Sequence, residues 1–332
     1  MMKKSIILTE QEKSALNVYD SELRKKICEL TDFLGDYTKQ SYIDSGIRDV
    51  EVVFSTWGME HYTCEEIKEL FPKLEAIYYG AGSVQGFAKE FLQSGIRVHS
   101  AWAANAVPVA EYTVAQIILA NKGFFGSIYR CKKEGYGRAF DHFKKFKGNY
   151  NSKVGIIGAG MIGKMVIERL RAYKLDVLVY DPFLPREYIR QHGLRMATLD
   201  EIFETCDIIS NHLANNDQTA GMLCGKYFDK MLPTAVFLNT GRGRQVVEAD
   251  LIDALKKCPD RCAVLDVTWP EPPEAGHEFY KMDNIILTPH IAGSSGNEVV
   301  RMGSYMVEEF IKCENGVEPD FSVSFEMLET MA

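Results

Sequence analysis

Val154-Gly-Ile-Ile-Gly158-Ala-Gly160-Met161-Ile162-Gly163 sets a short apolar run, readable as a strand, directly against three glycines, and Met165 to Leu170 continues with helical periodicity. Strand, glycine turn and helix in that order make an anion site. Gly158 permits the tight turn, Gly160 lets the backbone approach a pyrophosphate, and Gly163 allows the helix to pack closely on the strand. The helix N-terminus, opening at Met161 and Ile162, offers unpaired amides and partial positive charge. Close helix–strand packing alone could also select these glycines. Asp181 adds a second signal, because it ends the next apolar run, Val177 to Tyr180. A carboxylate there accepts hydrogen bonds from the adenosine ribose hydroxyls and repels a 2′-phosphate, so NAD is expected rather than NADP. The alternative makes Asp181 a turn former ahead of Pro182.

Outward from this motif the chain alternates. Before it, Val50 to Phe54, Leu74 to Tyr79 and Ile96 to His99 read as strands, with helices at Thr63 to Leu70 and Phe87 to Gln93. A longer helix, Val107 to Ala120, leads out of this first set. After the motif, Val177 to Tyr180, Ile208 to Ser210, Ala235 to Leu238, Ala263 to Leu265 and Ile285 to Leu287 read as strands with helical segments between most of them. Such alternation predicts an α/β protein with two doubly wound parallel-sheet, Rossmann-like domains. The amphipathic stretch Asn297 to Cys313 is long enough to return to the first domain, which is then discontinuous. The expected division is 1–104 with 295–332 for substrate binding and 105–294 for NAD.

Composition narrows the function class. The 332 residues suit two domains, and a formal net charge of −8 argues against broad affinity for nucleic acid or anionic membrane. The basic, aromatic segment Tyr129 to Lys153 reads as a solvated loop or subunit-contact arm sooner than as a nucleic-acid surface. Eight cysteines show neither a disulfide framework nor zinc spacing, so no metal is expected and reduced thiols in a cytoplasm are the simplest account. No signal-peptide core or membrane span of ~20 apolar residues is read from the sequence.

Three short stretches carry the chemistry: Asn239-Thr240-Gly241-Arg242-Gly, Asp266-Val-Thr-Trp-Pro-Glu271-Pro and Thr288-Pro-His290-Ile-Ala-Gly293. An arginine fork holds a carboxylate and its neighbouring carbonyl in plane. An imidazole, with an ordinary pKa of about 6.5, gives and takes a proton near neutrality, and a carboxylate orients it. Singly, each residue reads as readily as a salt-bridge partner, a loop carboxylate or a capping imidazole. Together they suit reduction of a 2-keto acid.

From about Leu74 to about Met306 the chain resembles the D-isomer-specific 2-hydroxyacid dehydrogenases. The resemblance makes Arg242, Glu271 and His290 the catalytic residues and NAD the cofactor. It places Gly158, Gly160, Met161, Ile162, Gly163, Asp181, Thr240, Gly241, Arg242, Asp266, His290 and Gly293 at the cofactor, with Asp266 near the nicotinamide amide. It likens Gly80-Ala81-Gly82 to a carboxylate-binding loop, and Ala104 to Glu111 to the opening of the connecting helix. His212 falls where the family reads His-Leu-Pro, but Ala214 replaces the proline. Gly241 stands where alanine or serine is commoner, which would loosen the loop bearing Arg242.

Departures from the family pattern bear on the substrate. Phosphoglycerate dehydrogenases carry arginines where this chain has Phe54 and Tyr78, so a phosphorylated acid is disfavoured. Trp57, Met59 and Tyr62 suggest an aromatic wall, though inter-domain packing would use the same residues. Glu271 separates the chain from formate dehydrogenases, which have glutamine there. The expected partner is a small 2-hydroxy or 2-keto acid bound by a homodimer. Alternatives are a phosphoglycerate dehydrogenase, a glyoxylate or hydroxypyruvate reductase, or an NAD-sensing regulatory protein.

The carboxylate of Asp181 makes a first prediction: kcat/KM for NADH should exceed that for NADPH by tenfold or more. Equal use of the two in steady-state kinetics refutes it.

Overall fold

The computed structural model describes residues 2–328. The chain divides into two compact units, Met1–Ala106 with Ser294–Ala332 and Val107–Gly293. Each is a parallel α/β sheet, as the alternation predicts.

In the first unit five strands, β1 (Lys4–Leu8), β2 (Asp32–Tyr37), β3 (Val52–Ser55), β4 (Ala76–Tyr79) and β5 (Arg97–Ser100), lie in the order β2-β1-β3-β4-β5. β3 and β4 are buried along their whole length, the pattern of a sheet covered on both faces. The Val299–Glu314 helix packs on one face through Met302, Met306 and Phe310, and Gly303 meets the Val18 carbonyl so closely that a Cβ has no room. That helix brings the C-terminal part of the chain into this unit.

In the second unit β6 (Tyr150–Ile157), β7 (Lys174–Tyr180), β8 (Arg195–Met196), β9 (Ile208–Asn211), β10 (Val236–Asn239), β11 (Cys262–Leu265) and β12 (Ile285–Leu287) follow the order β12-β11-β10-β9-β6-β7-β8. The order reverses beside β6, whose C-terminal end carries the glycine motif. This is the switch point at which open α/β sheets bind ligands.

Several expectations are corrected. β1 and β2 escaped the sequence reading because one is a five-residue run and the other an edge strand interrupted by Gly35 at φ +126°. Tyr129 to Lys153 is mostly not loop: helices span Phe124–Lys133 and Tyr136–Phe143, and β6 begins at Tyr150. Lysines and arginines between the aromatic residues hide that periodicity. The long helix starts at Trp102 and reaches Ala120, a 19-residue span apolar enough by length and composition to cross a membrane. Ala110, Ile117 and Ala120 are nevertheless in the core of the second unit, so the helix is satisfied there. Tyr62 lines no wall: it is buried in the core of the first unit, as are Phe54 and Tyr78, whose ring centroids are 5.6 Å apart. Trp57 is partly exposed.

Each unit also buries a neutral histidine. His99 stacks on Tyr78, and His212 meets the Ser210 hydroxyl at 2.9 Å; burial pushes each imidazole down to about 4. The unfolded chain therefore binds protons that the folded chain refuses. Their stabilising contribution is complete above about pH 6.5 and is lost as pH falls toward 4. Urea unfolding midpoints should drop steeply between pH 6.5 and 4.5, and His99→Phe should flatten the part due to the first unit. An unchanged slope in that variant counts against the assignment.

Candidate active site

Three neighbouring strands present the charged residues. Asn239 of β10 is level with Leu265 of β11, which is level with Leu287 of β12, so the loops leaving them start side by side. The first carries Arg242, the second Asp266 and Glu271, the third His290. Gly243 lies against the Thr268 backbone at a distance no side chain permits, which clamps the first loop to the second.

His290 Nδ1 and Glu271 Oε1 are 2.6 Å apart, with both side chains substantially exposed. The pairing leaves Nε2 as the ring nitrogen available for proton exchange. Arg242 is half-buried; burial lowers its pKa and the Glu271 carboxylate pulls it back up, so the guanidinium is desolvated beside an anion and still charged. Its Nη1 donates to the Gly241 carbonyl at 2.8 Å. A cleft of about 410 Å³ is lined by Asp266, Glu271, Tyr280 and His290 among others.

His290 has φ +55°, a left-handed conformation that costs a non-glycine residue on the order of 1 kcal/mol or more. Asp266 holds it there. The Asp266 carboxylate is almost fully buried and accepts hydrogen bonds from the Thr288 hydroxyl at 2.6 Å and from the Ile291 and Ala292 amides at 2.8 Å each. Its carbonyl accepts from the His290 amide at 3.0 Å. Sequence reading set Asp266 beside the cofactor; in the structure the chain's own donors engage the carboxylate.

The glycine motif has the form a dinucleotide needs. Gly158 takes φ +89°, and a Cβ on Gly163 would strike the Gly158 carbonyl. Gly160, with ordinary φ −66°, would place a Cβ in open space. Nothing in the protein therefore requires glycine at 160, whereas a closely approaching pyrophosphate would. Met161 and Ile162 open the Met161–Leu170 helix, whose first amides face this turn. Asp181 accepts from the Ala159 amide at 2.7 Å and the Phe183 amide at 2.8 Å, which orients the carboxylate at the end of β7. Thr240 leads into the Arg242 loop, its hydroxyl 3.0 Å from that of Thr113, and Gly293 ends the second unit. Ala81 and Gly82 lie in the first unit, where Ser100 Oγ donates to both carbonyls, at 2.9 and 2.6 Å; Trp57 is also there.

Sequence reasoning missed the groups that hold these loops. Tyr112 and Thr113, adjacent on the long helix, meet Thr288 at 3.1 Å and Thr240 at 3.0 Å, beneath the loops that carry His290 and Arg242. Asn211, Asn239 and Gln245 form a buried amide cluster under Arg242. Only polar residues in otherwise apolar runs hinted at any of these.

Glycine turn, carboxylate at the end of β7 and strand-end trio define a Rossmann unit of the dinucleotide-binding class. Residues 114–292 match the family described as D-isomer specific 2-hydroxyacid dehydrogenase, NAD binding domain. The chain belongs to that family, and its cofactor is NAD. It is 31% identical over 239 residues to a D-3-phosphoglycerate dehydrogenase of Archaeoglobus fulgidus, covering 71% of this chain and 44% of that protein. A putative 2-hydroxyacid dehydrogenase of Staphylococcus epidermidis is 30% identical over 246 residues, covering 74% and 77%. The chain spans about half the length of the phosphoglycerate dehydrogenases it matches. Among solved structures, Rhodotorula graminis D-mandelate dehydrogenase aligns over 98% of both chains with a TM-score of 0.83 at 16% identity, a likeness of fold.

Gly160→Ala separates ligand from packing. The substitution should leave the thermal midpoint unchanged and weaken NADH binding about tenfold or more, whereas Gly163→Ala should lower the midpoint itself. NADH titration followed by fluorescence measures the first effect; unaltered affinity in Gly160→Ala would show that the turn does not receive the pyrophosphate.

Proposed function

We propose that the protein interconverts a small 2-hydroxy acid and its 2-keto acid, with the first unit serving substrate binding through Ala81, Gly82 and Trp57. The observation that carries this reading is the 2.6 Å pairing of His290 Nδ1 with Glu271 beside a desolvated Arg242. NAD, when bound, supplies or takes up the hydride. Arg242 grips the substrate carboxylate with its planar fork, orienting the neighbouring carbonyl. His290 delivers a proton from Nε2 to the carbonyl oxygen as the carbon is reduced, and removes it in the reverse direction. Glu271 keeps the imidazole turned so that Nε2 faces the reacting oxygen. Thr240, Gly241 and Gly293, with Asp266 through the chain it braces, complete the cofactor side. NAD is favoured over NADP because a carboxylate at the end of β7, Asp181, would repel a 2′-phosphate.

Of the alternative enzymes, phosphoglycerate dehydrogenase draws on the 31% relative and glyoxylate reductase on a 27% relative in Korarchaeum cryptofilum. A non-phosphorylated acid is preferred here, because neither Phe54 nor Tyr78 supplies a cation to a phosphate. We further propose a cytoplasmic homodimer. All eight cysteines are free thiols, and Phe124, Ile128, Tyr136, Phe140 and Phe143 are exposed on two successive helices.

Turnover decides. NADH oxidation measured with glyoxylate, pyruvate, hydroxypyruvate, phenylpyruvate and 3-phosphohydroxypyruvate should be fast for at least one non-phosphorylated acid; NADH binding without turnover of any would favour a regulatory protein. His290→Ala should lower kcat by about two orders of magnitude or more. Near-normal turnover in that variant excludes His290 as the acid.

A further inference from the structure

Asn211, Asn239 and Gln245 are each at most 1% exposed, and none has a part in the chemistry proposed above. Their amides are fully engaged. Asn211 and Asn239 are register partners on β9 and β10, and Asn211 Nδ2 donates to Asn239 Oδ1 at 3.0 Å and to Gln245 Oε1 at 2.6 Å. Gln245 Oε1 also accepts from the Arg242 amide at 3.2 Å, while its Nε2 donates to the Leu213 and Ala214 carbonyls at 2.6 and 2.9 Å. Asn239 Oδ1 accepts from the Gly241 amide at 3.1 Å, and its Nδ2 donates to the Arg242 carbonyl at 3.1 Å. The Gly241 N–H, the Arg242 N–H and the Arg242 carbonyl thus each end on a buried side-chain amide. The donors and carbonyls around it determine which end of Gln245 is oxygen.

We infer that Gln245, seated by Asn211, is the positioning residue that holds the main chain beneath Arg242, and that residue 241 is glycine to make room for it. A Cβ on Gly241 would stand 2.9 Å from Gln245 Oε1 and 3.2 Å from Asn211 Nδ2. The glycine expected to loosen this loop instead admits the amide that ties it to the loop after β9. An apolar residue at 245 would leave the half-buried Arg242 amide and two carbonyls without this partner. A carboxylate-gripping fork displaced by a fraction of an ångström loses alignment with the carbonyl it presents. The inference rests on the reading of Arg242 as the carboxylate-binding group.

The test uses glyoxylate, the smallest 2-keto acid and therefore the one least sensitive to pocket shape, with NADH. Gln245→Leu should raise KM for glyoxylate about tenfold to a hundredfold. Gly241→Ala should raise KM by less. Combined with Gln245→Leu it should add less than it costs alone, because the nearest atom that its methyl meets is gone. Gln245→Glu keeps the fold testable if the leucine variant is unstable. Protonated, the introduced carboxyl both donates to a carbonyl and accepts from Arg242; ionised, it repels the carbonyls. KM in that variant should approach the parent value near pH 5 and climb toward pH 8, relative to the parent at each pH. Parent-like KM in Gln245→Leu, or a flat ratio in Gln245→Glu, overturns the proposal provided Arg242→Ala raises KM. If Arg242→Ala itself leaves KM unchanged, the assignment of Arg242 falls and this inference with it.

Discussion

Level registration of β10, β11 and β12 is the constraint on which the candidate site depends. Asn239, Leu265 and Leu287 end their strands at one height, so three loops distant in sequence emerge together. Parallel pairing makes this possible because all strands point their C-terminal ends to the same edge. Gly243 against Thr268 then removes the remaining freedom between the first two loops. Arg242, Glu271 and His290 need no contact of their own to be gathered.

The groups proposed to react are exposed or half-buried, while the groups that place them are almost wholly buried. Asp266 braces the His290 loop and the Asn211–Asn239–Gln245 cluster braces the Arg242 loop. Burial makes such braces specific, because an interior polar atom without its partner costs roughly 1–3 kcal/mol and alternative loop conformations are penalised accordingly. The unfavourable φ at His290 persists because four hydrogen bonds to Asp266 outweigh it. Access and rigidity are thereby divided between different residues.

Much of the fold was legible because buried parallel strands are continuous apolar runs and the helices between them are amphipathic. Most strands from Val50 onward are visible in this way. β1, β2 and the Phe124–Lys133 and Tyr136–Phe143 helices were not, since short length, an edge position or interleaved lysines dilute the period. The reading of Tyr62 as part of a substrate wall failed for a different reason. An aromatic residue suits a core and a binding wall equally well, and only its neighbours tell which.

Sequence by itself determined the family and the motif for NAD. Gly158, Gly160, Gly163 and Asp181 are close in the chain, and their spacing alone carries the geometry of a strand–turn–helix. Arg242, Glu271 and His290 could be nominated as a set because each follows a recognisable strand. Tertiary structure decided which contacts these residues and their neighbours make: His290 meets Glu271 through Nδ1, the Asp266 carboxylate takes three donors of the His290 loop, and Gly241 lies against the Gln245 amide. Those contacts join segments apart in the chain, where local spacing has no bearing on which donor meets which acceptor.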